Sequence, residues 1–204
     1  MLQLDHLVVV AETIESGVEY VEAALGVPTE QGGRHSFMGT HNHLLSLGET
    51  AYLEVIAIDP SAPAPSRPRW FNLDAFTGPP RLSNWICRSD NLAGDLKRAP
   101  AGLGPTEFAS RGDLSWRITV PEDGCLPFDG LFPGFIYWDG DAHPAQTLPD
   151  RGLRLERLDL YHSQAGQLAR ALGGMLDLDM PLVHLTSTSR MAARFTSPGG
   201  TVTL

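Results

Sequence analysis

A weak internal repeat constrains this sequence more than any of its other features. Residues 2–7, Leu-Gln-Leu-Asp-His-Leu, are followed at residues 153–158 by the similar stretch Leu-Arg-Leu-Glu-Arg-Leu. Another strand-like start lies between them at residues 82–87, and a helix-like stretch follows each of these starts. Self-similarity of this kind indicates a fold assembled from copies of one supersecondary unit. We therefore expect a functional site where equivalent positions of different copies converge.

The spacing of apolar residues predicts the elements of the first copy. A run rich in β-branched residues at 3–10 predicts a strand that is buried on both faces. Thr13 is a suitable N-cap for the helix that follows, and Gly26 is a suitable end. Two strands are expected within residues 35–48, around a connection at residues 39–42, and a further strand is expected at residues 51–58. The predicted order of elements is therefore β-α-β-β-β.

The same order of elements is expected in two further copies. We place the first copy at residues 1–60 and the second at residues 80–146, where a Pro- and Gly-rich insertion at residues 121–134 interrupts the strands. The helix of the second copy begins after a cap at Asn91. The third copy, at residues 153–204, ends in three short strands. The three copies together predict a single compact chain of the α+β class.

Composition and charge limit the classes of partner. The chain carries 15 Lys and Arg and 24 Asp and Glu, for a formal net charge of −9, whereas nucleic acids and anionic membranes attract basic surfaces. No apolar stretch approaches the roughly 20 residues that cross a bilayer. The first residues lack the pattern of a secretory signal, and two cysteines are too few for a disulfide framework. We expect a cytoplasmic protein with neither a nucleic-acid nor a membrane partner.

Glu54 is the most unusual residue, because it interrupts an apolar strand-like run at residues 52–58. Burial of an ionised carboxylate costs several kcal/mol unless it is paired, hydrogen-bonded or metal-bound. His6, in the first strand, is a milder case of the same kind. If the two strands curve toward each other, both side chains face one cavity, and both are suitable ligands for Zn, Mn, Fe or Ni. A core histidine that is hydrogen-bonded to a buried glutamate, without a metal, is the alternative.

Other polar residues are weaker candidates for a site. His41 and His43 share a face if their strand is regular. Arg111 and Arg117 suit the bidentate capture of a carboxylate or phosphate. His143 precedes a proline near the end of the second copy. Each of these residues is equally well explained as an exposed turn or hairpin residue.

A series of motifs resembles those of glyoxalase-like domains, a branch of the vicinal oxygen chelate superfamily. The motifs lie at residues 4–9, 25–27, 32–35, 39–42, 52–59, 110–117 and 138–144. The resemblance covers roughly residues 2–146. It implies repeated βαβββ modules that form curved, cup-shaped mixed sheets with helices on the outside. It also implies a divalent metal that is held by the first and last strands of each module.

The resemblance assigns metal-ligand positions residue by residue. In the first module these positions hold His6 and Glu54, and in the second they hold Asn84 and Tyr137. Asn84 and Tyr137 are weak ligands, so the four-ligand pattern of the superfamily is incomplete. Three histidines are then candidates to complete the site: His41, His43 and His143.

The resemblance implies a divalent-metal-dependent lyase, isomerase or dioxygenase that acts on a small oxygenated substrate. His6 and Glu54 are its expected catalytic residues and its expected metal ligands. The expected substrate-binding residues are Arg111, Arg117, Trp85, Tyr137 and His41. One alternative is a metal-free protein of the same fold that binds or sequesters a small molecule in an apolar pocket, and Trp138 then joins its lining.

A third alternative is a metal-free enzyme that uses His6 and Glu54 as its acid–base pair. The odd number of modules leaves a sheet edge without a partner, and such an edge favours a homodimer. The sequence leaves all of these alternatives open.

Overall fold

The computed structural model describes residues 1–176 and 181–204. Residues 177–180, which belong to the predicted third module, lie outside the described part of the chain. No described helix is both long and apolar enough to cross a membrane. The described elements occur in three successive sets, and each set has a strand, a helix and three further strands.

The first set has the predicted order of elements. Its elements are β1 (Gln3–Val10), α1 (Ile14–Leu25), β2 (Glu30–His35), β3 (Thr40–Ser46) and β4 (Tyr52–Ile58). Thr13 caps α1 by accepting a hydrogen bond from the Ser16 N–H, and Gly26 ends the helix in the left-handed conformation at a φ of 70°. The predicted connection at residues 39–42 is wrong. The turn occupies residues 36–39 because Gly39, at a φ of 59°, ends it.

The second set has the same order of elements. Its elements are β5 (Arg81–Arg88), α2 (Leu92–Leu96), β6 (Thr106–Arg111), β7 (Leu114–Thr119) and β8 (Gly134–Trp138). A short 3₁₀ segment, Trp70–Ala75, lies in the proline-rich connection between the two sets. A further short helix, α3 (Pro144–Thr147), follows β8, where the sequence indicated only an irregular link. His143 caps α3, and Pro144 suits its first position because no N–H is needed there.

The first two sets form one curved sheet of eight strands in the order β2-β3-β4-β1-β5-β8-β7-β6. In each set the first strand pairs in parallel with the last, and the antiparallel pairing of β1 with β5 joins the two sets. The edge strands β2 and β6 approach each other, so the sheet nearly closes into a cup. The predicted α+β fold of βαβββ modules with a curved mixed sheet is confirmed.

The third set forms a separate sheet of four strands. Its elements are β9 (Arg154–His162), α4 (Ala165–Leu172), β10 (Leu182–Leu185), β11 (Arg190–Ser197) and β12 (Gly200–Thr203). The strand order is β10-β9-β11-β12, with β9 parallel to β10 and antiparallel to β11. The first strand therefore does not pair with the last, in contrast to the other two sets. We keep the division into modules at residues 1–60, 80–146 and 153–204 as a proposal.

The apolar core is centred on β1. Leu7, Val8, Val9 and Val10 are each 0% exposed, so this strand is buried on both faces. Apolar residues of the third set, including Leu160 and Phe195, belong to the same continuous core. The centre of the molecule is therefore the join between β1 and its neighbours, and polar side chains at this join have to be satisfied within the protein.

Candidate functional site

The cup of the large sheet contains a small cavity. Its polar lining residues are His6, His35, Asn42, Glu54 and Arg111. Its aromatic lining residues are Tyr52, Trp70, Phe71, Trp116 and Trp138. The cavity has a volume of about 30 Å³, which is room for about two water molecules at roughly 10–15 Å³ each. We call this space, with its lining, the cup site.

A bulge in β1 builds the centre of the cup site. Leu4 pairs with Cys87 and His6 with Ile86, so Asp5 is an extra residue in this antiparallel ladder. A bulge re-aims side chains that regular alternation would place on opposite faces. The Asp5 carboxylate consequently reaches the neighbouring His6 ring, with 2.7 Å between Oδ1 of Asp5 and Nδ1 of His6.

The Asp5 carboxylate is fully buried and accepts hydrogen bonds from three ring nitrogens. In addition to His6, the donors are Nε1 of Trp138 at 2.8 Å and Nε2 of His143 at 3.1 Å. Burial by itself raises the pKa of Asp5. The hydrogen bonds from His143 and His6 outweigh this effect and hold the pKa well below its ordinary value. Asp5 is therefore a buried anion that is stabilised by its partners.

The hydrogen bond to Asp5 determines how His6 faces the cavity. Because Nδ1 of His6 donates to Asp5, the other nitrogen, Nε2, is an acceptor when the ring is neutral. Nε2 lies 3.7 Å from Oε2 of Glu54, which is beyond hydrogen-bond distance. The Tyr52 ring stacks on the His6 ring with 4.6 Å between centroids and fixes its plane.

Glu54 is held by its neighbour on β3. Asn42 donates from Nδ2 to Oε1 of Glu54 at 2.6 Å, and its Oδ1 accepts from the Gly33 N–H at 2.8 Å. The second carboxylate oxygen of Glu54 is thus left facing His6. The side chains of His6 and Glu54 are 5% and 7% exposed. The predicted convergence of His6 and Glu54 in one hollow is what the structure shows.

Arg111 brings a positive charge to the cup site from the end of β6. Its NH1 lies 3.4 Å from Oδ1 of Asn42 and 3.4 Å from Nε2 of His35. Burial, and next the charge of Arg111, lower the pKa of His35 to about 3. His35 is therefore neutral near pH 7, and Arg111 is the cation of this cavity.

Four of the predicted substrate-binding residues are not among the residues that line this cavity. They are Arg117, Trp85, Tyr137 and His41. Arg117, Tyr137 and His41 each lie directly beside a residue that lines the cavity, and successive side chains of a strand alternate between faces. Trp116, Ile136 and Asn42 line the cavity, and their sequence neighbours consequently point away.

Several predicted site residues that lie outside the cavity have other partners. Arg117 forms an ion pair with Asp139 at 2.7 Å, and Trp85 donates to the Leu131 carbonyl at 2.9 Å. His43, proposed as a further metal ligand, contacts Thr29 at 3.0 Å outside the cavity. Asn84 is buried beside Gly130, away from His6 and Glu54.

Two residues that build the site, Asp5 and Asn42, were not predicted from the sequence. A regular strand would place Asp5 on the face opposite His6. His41 was chosen in place of the adjacent Asn42, although an amide next to a buried carboxylate is a recognisable signal. His143, a candidate to complete the site for which an exposed position was the alternative, is 6% exposed and bonded to Asp5.

The donor set does not match a resident divalent metal. Among residues 1–176 and 181–204, no group of three or more His, Cys, Asp and Glu side chains is arranged to hold one. The His6 and Glu54 donor atoms are 3.7 Å apart, close to the separation of about 3.4 Å for two ligands of one tetrahedral zinc. Catalytic zinc sites typically have three protein ligands. Ile118 and Ile136 also line the cavity but offer no ligand atom, and the positive charge of Arg111 disfavours a cation beside it.

The chain matches one protein family and is similar in fold to solved structures. The model of the glyoxalase-like domain family matches residues 4–176. None of the curated proteins matches the sequence. The crystal structure of a hypothetical protein from Staphylococcus aureus superimposes with a TM-score of 0.59 at 12% identity, covering 100% of this chain and 84% of that one. This similarity concerns the fold alone.

Two methylmalonyl-CoA epimerases are more distant in structure. A variant of the Streptomyces coelicolor enzyme, in complex with 2-nitronate-propionyl-CoA, has a TM-score of 0.48 and 16% identity, covering 70% of this chain and 100% of that one. The Mycobacterium tuberculosis enzyme has a TM-score of 0.42 and 19% identity, covering 68% and 88%.

Proposed function

Because the chain belongs to the glyoxalase-like domain family, we propose that it is an enzyme that moves protons on a small oxygenated substrate in its cup site. His6 and Glu54 are the proton-transfer groups, and Arg111 binds an anionic group of the substrate. One observation carries the proposal. Asp5 orients His6 so that its second nitrogen faces the Glu54 carboxylate across 3.7 Å.

Asp5 supports His6 as a general base. When Nε2 of His6 takes a proton from the substrate, the ring becomes a cation, and the buried Asp5 carboxylate stabilises it through the bond to Nδ1. Because Asp5 also accepts from Trp138 and His143, it cannot turn away from the ring. The imidazole is therefore held in one orientation and one tautomer.

Glu54 supplies a second proton-transfer group beside the first. Asn42 donates a hydrogen bond to one of its carboxylate oxygens, and the other oxygen lies 3.7 Å from Nε2 of His6. A proton that one group takes from a substrate atom passes to the other group across the 3.7 Å between them and is then returned to a neighbouring substrate atom, so that both groups regain their starting forms. This chemistry belongs to isomerases and lyases.

The size and lining of the cup site define the substrate class. Arg111 suits a carboxylate or a developing oxyanion, and the aromatic walls suit an apolar remainder. A volume of about 30 Å³ admits only the reacting end of a molecule unless side chains at the mouth move. We therefore propose a small oxygenated carboxylate as the substrate.

A metal-dependent lyase, isomerase or dioxygenase is a competing proposal, with His6 and Glu54 as its ligands. It is less favoured because two protein donors face an arginine and apolar side chains. A protein that binds a small molecule without converting it is the other alternative, and the aromatic walls support it.

Proton exchange with solvent tests the proposal directly. The protein is incubated in D₂O with 2-oxo and 2-hydroxy carboxylates, and the loss of substrate C–H signals is followed by proton NMR. We expect at least one compound to exchange about 100-fold faster than in buffer, and His6→Gln and Glu54→Gln each to lower that rate by about 10²-fold. The matched controls His41→Gln and Glu49→Gln, which lie outside the cavity, should leave it unchanged.

Two outcomes would replace the proposal. If a compound binds in the cup site but no C–H signal is lost, the chain is a binding protein. If untagged protein, purified without chelator, carries about one divalent metal per chain that both Gln variants lose, the metal-dependent enzyme is correct. Elemental analysis of wild type and variants makes this measurement.

A further inference from the structure

A second and much larger cavity lies outside the cup, between the start of β5, the insertion before β8 and the edge of the small sheet. It has a volume of about 660 Å³, which lies within the range of roughly 300–1,000 Å³ that small-molecule sites occupy. We call it the outer cleft and define it by six of its lining residues: Phe71, Asn72, Arg81, Asn84, Phe128 and Arg190. The proposed proton transfer makes no use of it.

Unfavourable backbone conformations are concentrated at this cleft. In the described part of the chain, the non-glycine residues with positive φ are Phe71 (58°), Asn72 (54°), Phe128 (55°) and Asp129 (56°). All of them line the outer cleft. A left-handed conformation costs a non-glycine residue roughly 1–2 kcal/mol, and such residues cluster at ligand clamps and active sites.

Asn84 lines the cleft and carries a buried, unpaired acceptor. The residue is 3% exposed, and its Oδ1 has no hydrogen-bond partner among the described residues. Its Nδ2 is held at 3.5 Å from the Gly130 carbonyl, so the amide orientation is set. An unsatisfied buried acceptor costs about 1–3 kcal/mol. A donor on a bound molecule would remove that cost.

Two arginines add positive charge at the rim of the cleft. The guanidinium of Arg81 lies 4.2 Å from the centre of the Phe76 ring, and that of Arg190 lies 3.5 Å from the centre of the Tyr161 ring. Neither pairs with a carboxylate in residues 1–176 and 181–204. Guanidinium groups held against aromatic rings keep their N–H donors available for carboxylate or phosphate.

The acidic residues at the cleft are already bonded within the protein. Asp129 accepts from Ser189 at 2.6 Å and lies 3.3 Å from Nε2 of His162. Asp123 accepts from the Cys125 N–H at 2.9 Å. Arg81 also donates to the Thr77 carbonyl at 3.1 Å. Within residues 1–176 and 181–204, neither arginine forms an ion pair and the Asn84 side-chain oxygen has no partner, so these are the groups to which we assign the binding of an incoming molecule.

We propose that the outer cleft is a second ligand site, specific for a small aromatic organic anion. The anionic group binds Arg81 and Arg190, the aromatic body packs against Phe71 and Phe128, and an N–H or O–H donates to Asn84. Phe71 also lines the cup site, so the bound molecule contacts one wall of that cavity. The inference does not depend on the reaction proposed for the cup.

A fluorescent probe of this chemistry tests the inference. 8-Anilinonaphthalene-1-sulfonate has an aromatic body, one anionic group and one N–H donor, and its emission rises when it binds. We expect a saturable site with one probe per chain, as counted by equilibrium dialysis. Arg81→Gln and Arg190→Gln should each raise the Kd about fivefold or more. Both positions are exposed, so these substitutions should leave the fold intact.

Two matched variants complete the experiment. Arg88→Gln changes an arginine at the other end of the same strand as Arg81, and Glu54→Gln changes the cup site. Neither should alter the Kd. The inference is wrong if the arginine variants of the cleft bind the probe as tightly as wild type. It is also wrong if Glu54→Gln weakens binding as much as they do, because the probe then occupies the cup.

Discussion

Asp5 is the residue on which the polar arrangement of the cup depends. It joins β1 to Trp138 and His143, which are 133 and 138 residues away in sequence. Its carboxylate receives three N–H groups, and no other side chain of that size offers two equivalent acceptor oxygens with a full negative charge. Loss of its charge therefore affects both stability and the orientation of His6.

Asp5→Asn should be strongly destabilising. The amide presents an N–H group to at least one of three buried donors, and a broken buried charge network costs about 3–5 kcal/mol. Urea unfolding measures the change in the free energy of unfolding, and the exchange reaction should slow by 10²-fold or more in the folded fraction. Asp150→Asn, at an exposed carboxylate that pairs with Arg154, should unfold close to wild type. Equal stability of Asp5→Asn and wild type would contradict this account.

His35 should make stability depend on pH. Its pKa is about 3 in the folded protein and about 6.5 in an unfolded chain. Between these values the unfolded state binds one more proton, so the free energy of unfolding falls as pH falls from 6.5, by up to about 1.4 kcal/mol per pH unit.

The matched variant isolates that contribution. His35→Gln has no group that titrates in this range, so its stability should fall less steeply with decreasing pH than that of wild type. Urea unfolding at intervals between pH 7 and pH 4 gives both slopes. Parallel slopes for wild type and His35→Gln would show that His35 does not carry the pH dependence.

At the scale of the elements, α1 packs unusually closely on the outside of the large sheet. A β-carbon added to Gly17 would lie 2.5 Å from Cγ1 of Val55 on β4 and 2.9 Å from the β-carbon of Ala11. Glycine within a helix ordinarily costs about 0.5–1 kcal/mol relative to alanine. Its presence here is explained by the approach of the helix to the sheet.

Gly17→Ala should consequently lower the stability, against the helix propensity of alanine. We expect a loss of about 1–3 kcal/mol, because the extra methyl group forces the helix away from β4. Gly166→Ala in α4 is the matched control, since its added β-carbon would meet only the end of Arg170 at 3.6 Å. That variant should be as stable as wild type or slightly more stable. Equal changes of the thermal midpoint in the two variants would show that the close packing of Gly17 on β4 does not affect stability.

At the scale of the whole molecule, the two sheets share one core. Apolar residues of the small sheet, such as Leu160 and Phe195, pack in the same cluster as Leu7 and Ile86 of the large sheet. Leu2 adds a backbone hydrogen bond of 2.7 Å to the Met175 carbonyl. We therefore expect the small sheet to unfold together with the large one and not as an independent domain.

Coincident unfolding transitions would confirm this cooperativity. The four tryptophans lie between residues 70 and 138, so their fluorescence reports on the large sheet, whereas far-UV circular dichroism reports on all elements. We expect both signals to give one urea midpoint. A circular dichroism transition that precedes the fluorescence transition would show that the small sheet unfolds separately.

Local features of the sequence were sufficient to predict most of the elements and the unusual residues within them. The limits of α1, the strands of the second set and the cap at Asn91 follow from apolar spacing and capping residues, which are local properties. The anomaly of Glu54 was likewise visible, because a carboxylate within an apolar strand is unusual wherever the strand lies. The order of elements in all three sets could be predicted for the same reason.

Which side chains meet depends on the pairing of strands in three dimensions and could not be predicted from local patterns. A shift of one residue reverses the face of every side chain in a strand, so Asn42 and not His41, and Trp116 and not Arg117, belong to the cup. The bulge at Asp5 and the arrival of His143 depend on strand pairing between distant parts of the chain. The spacing of apolar residues within one strand does not indicate which strands pair, because the pairing depends on the burial that all the strands achieve together.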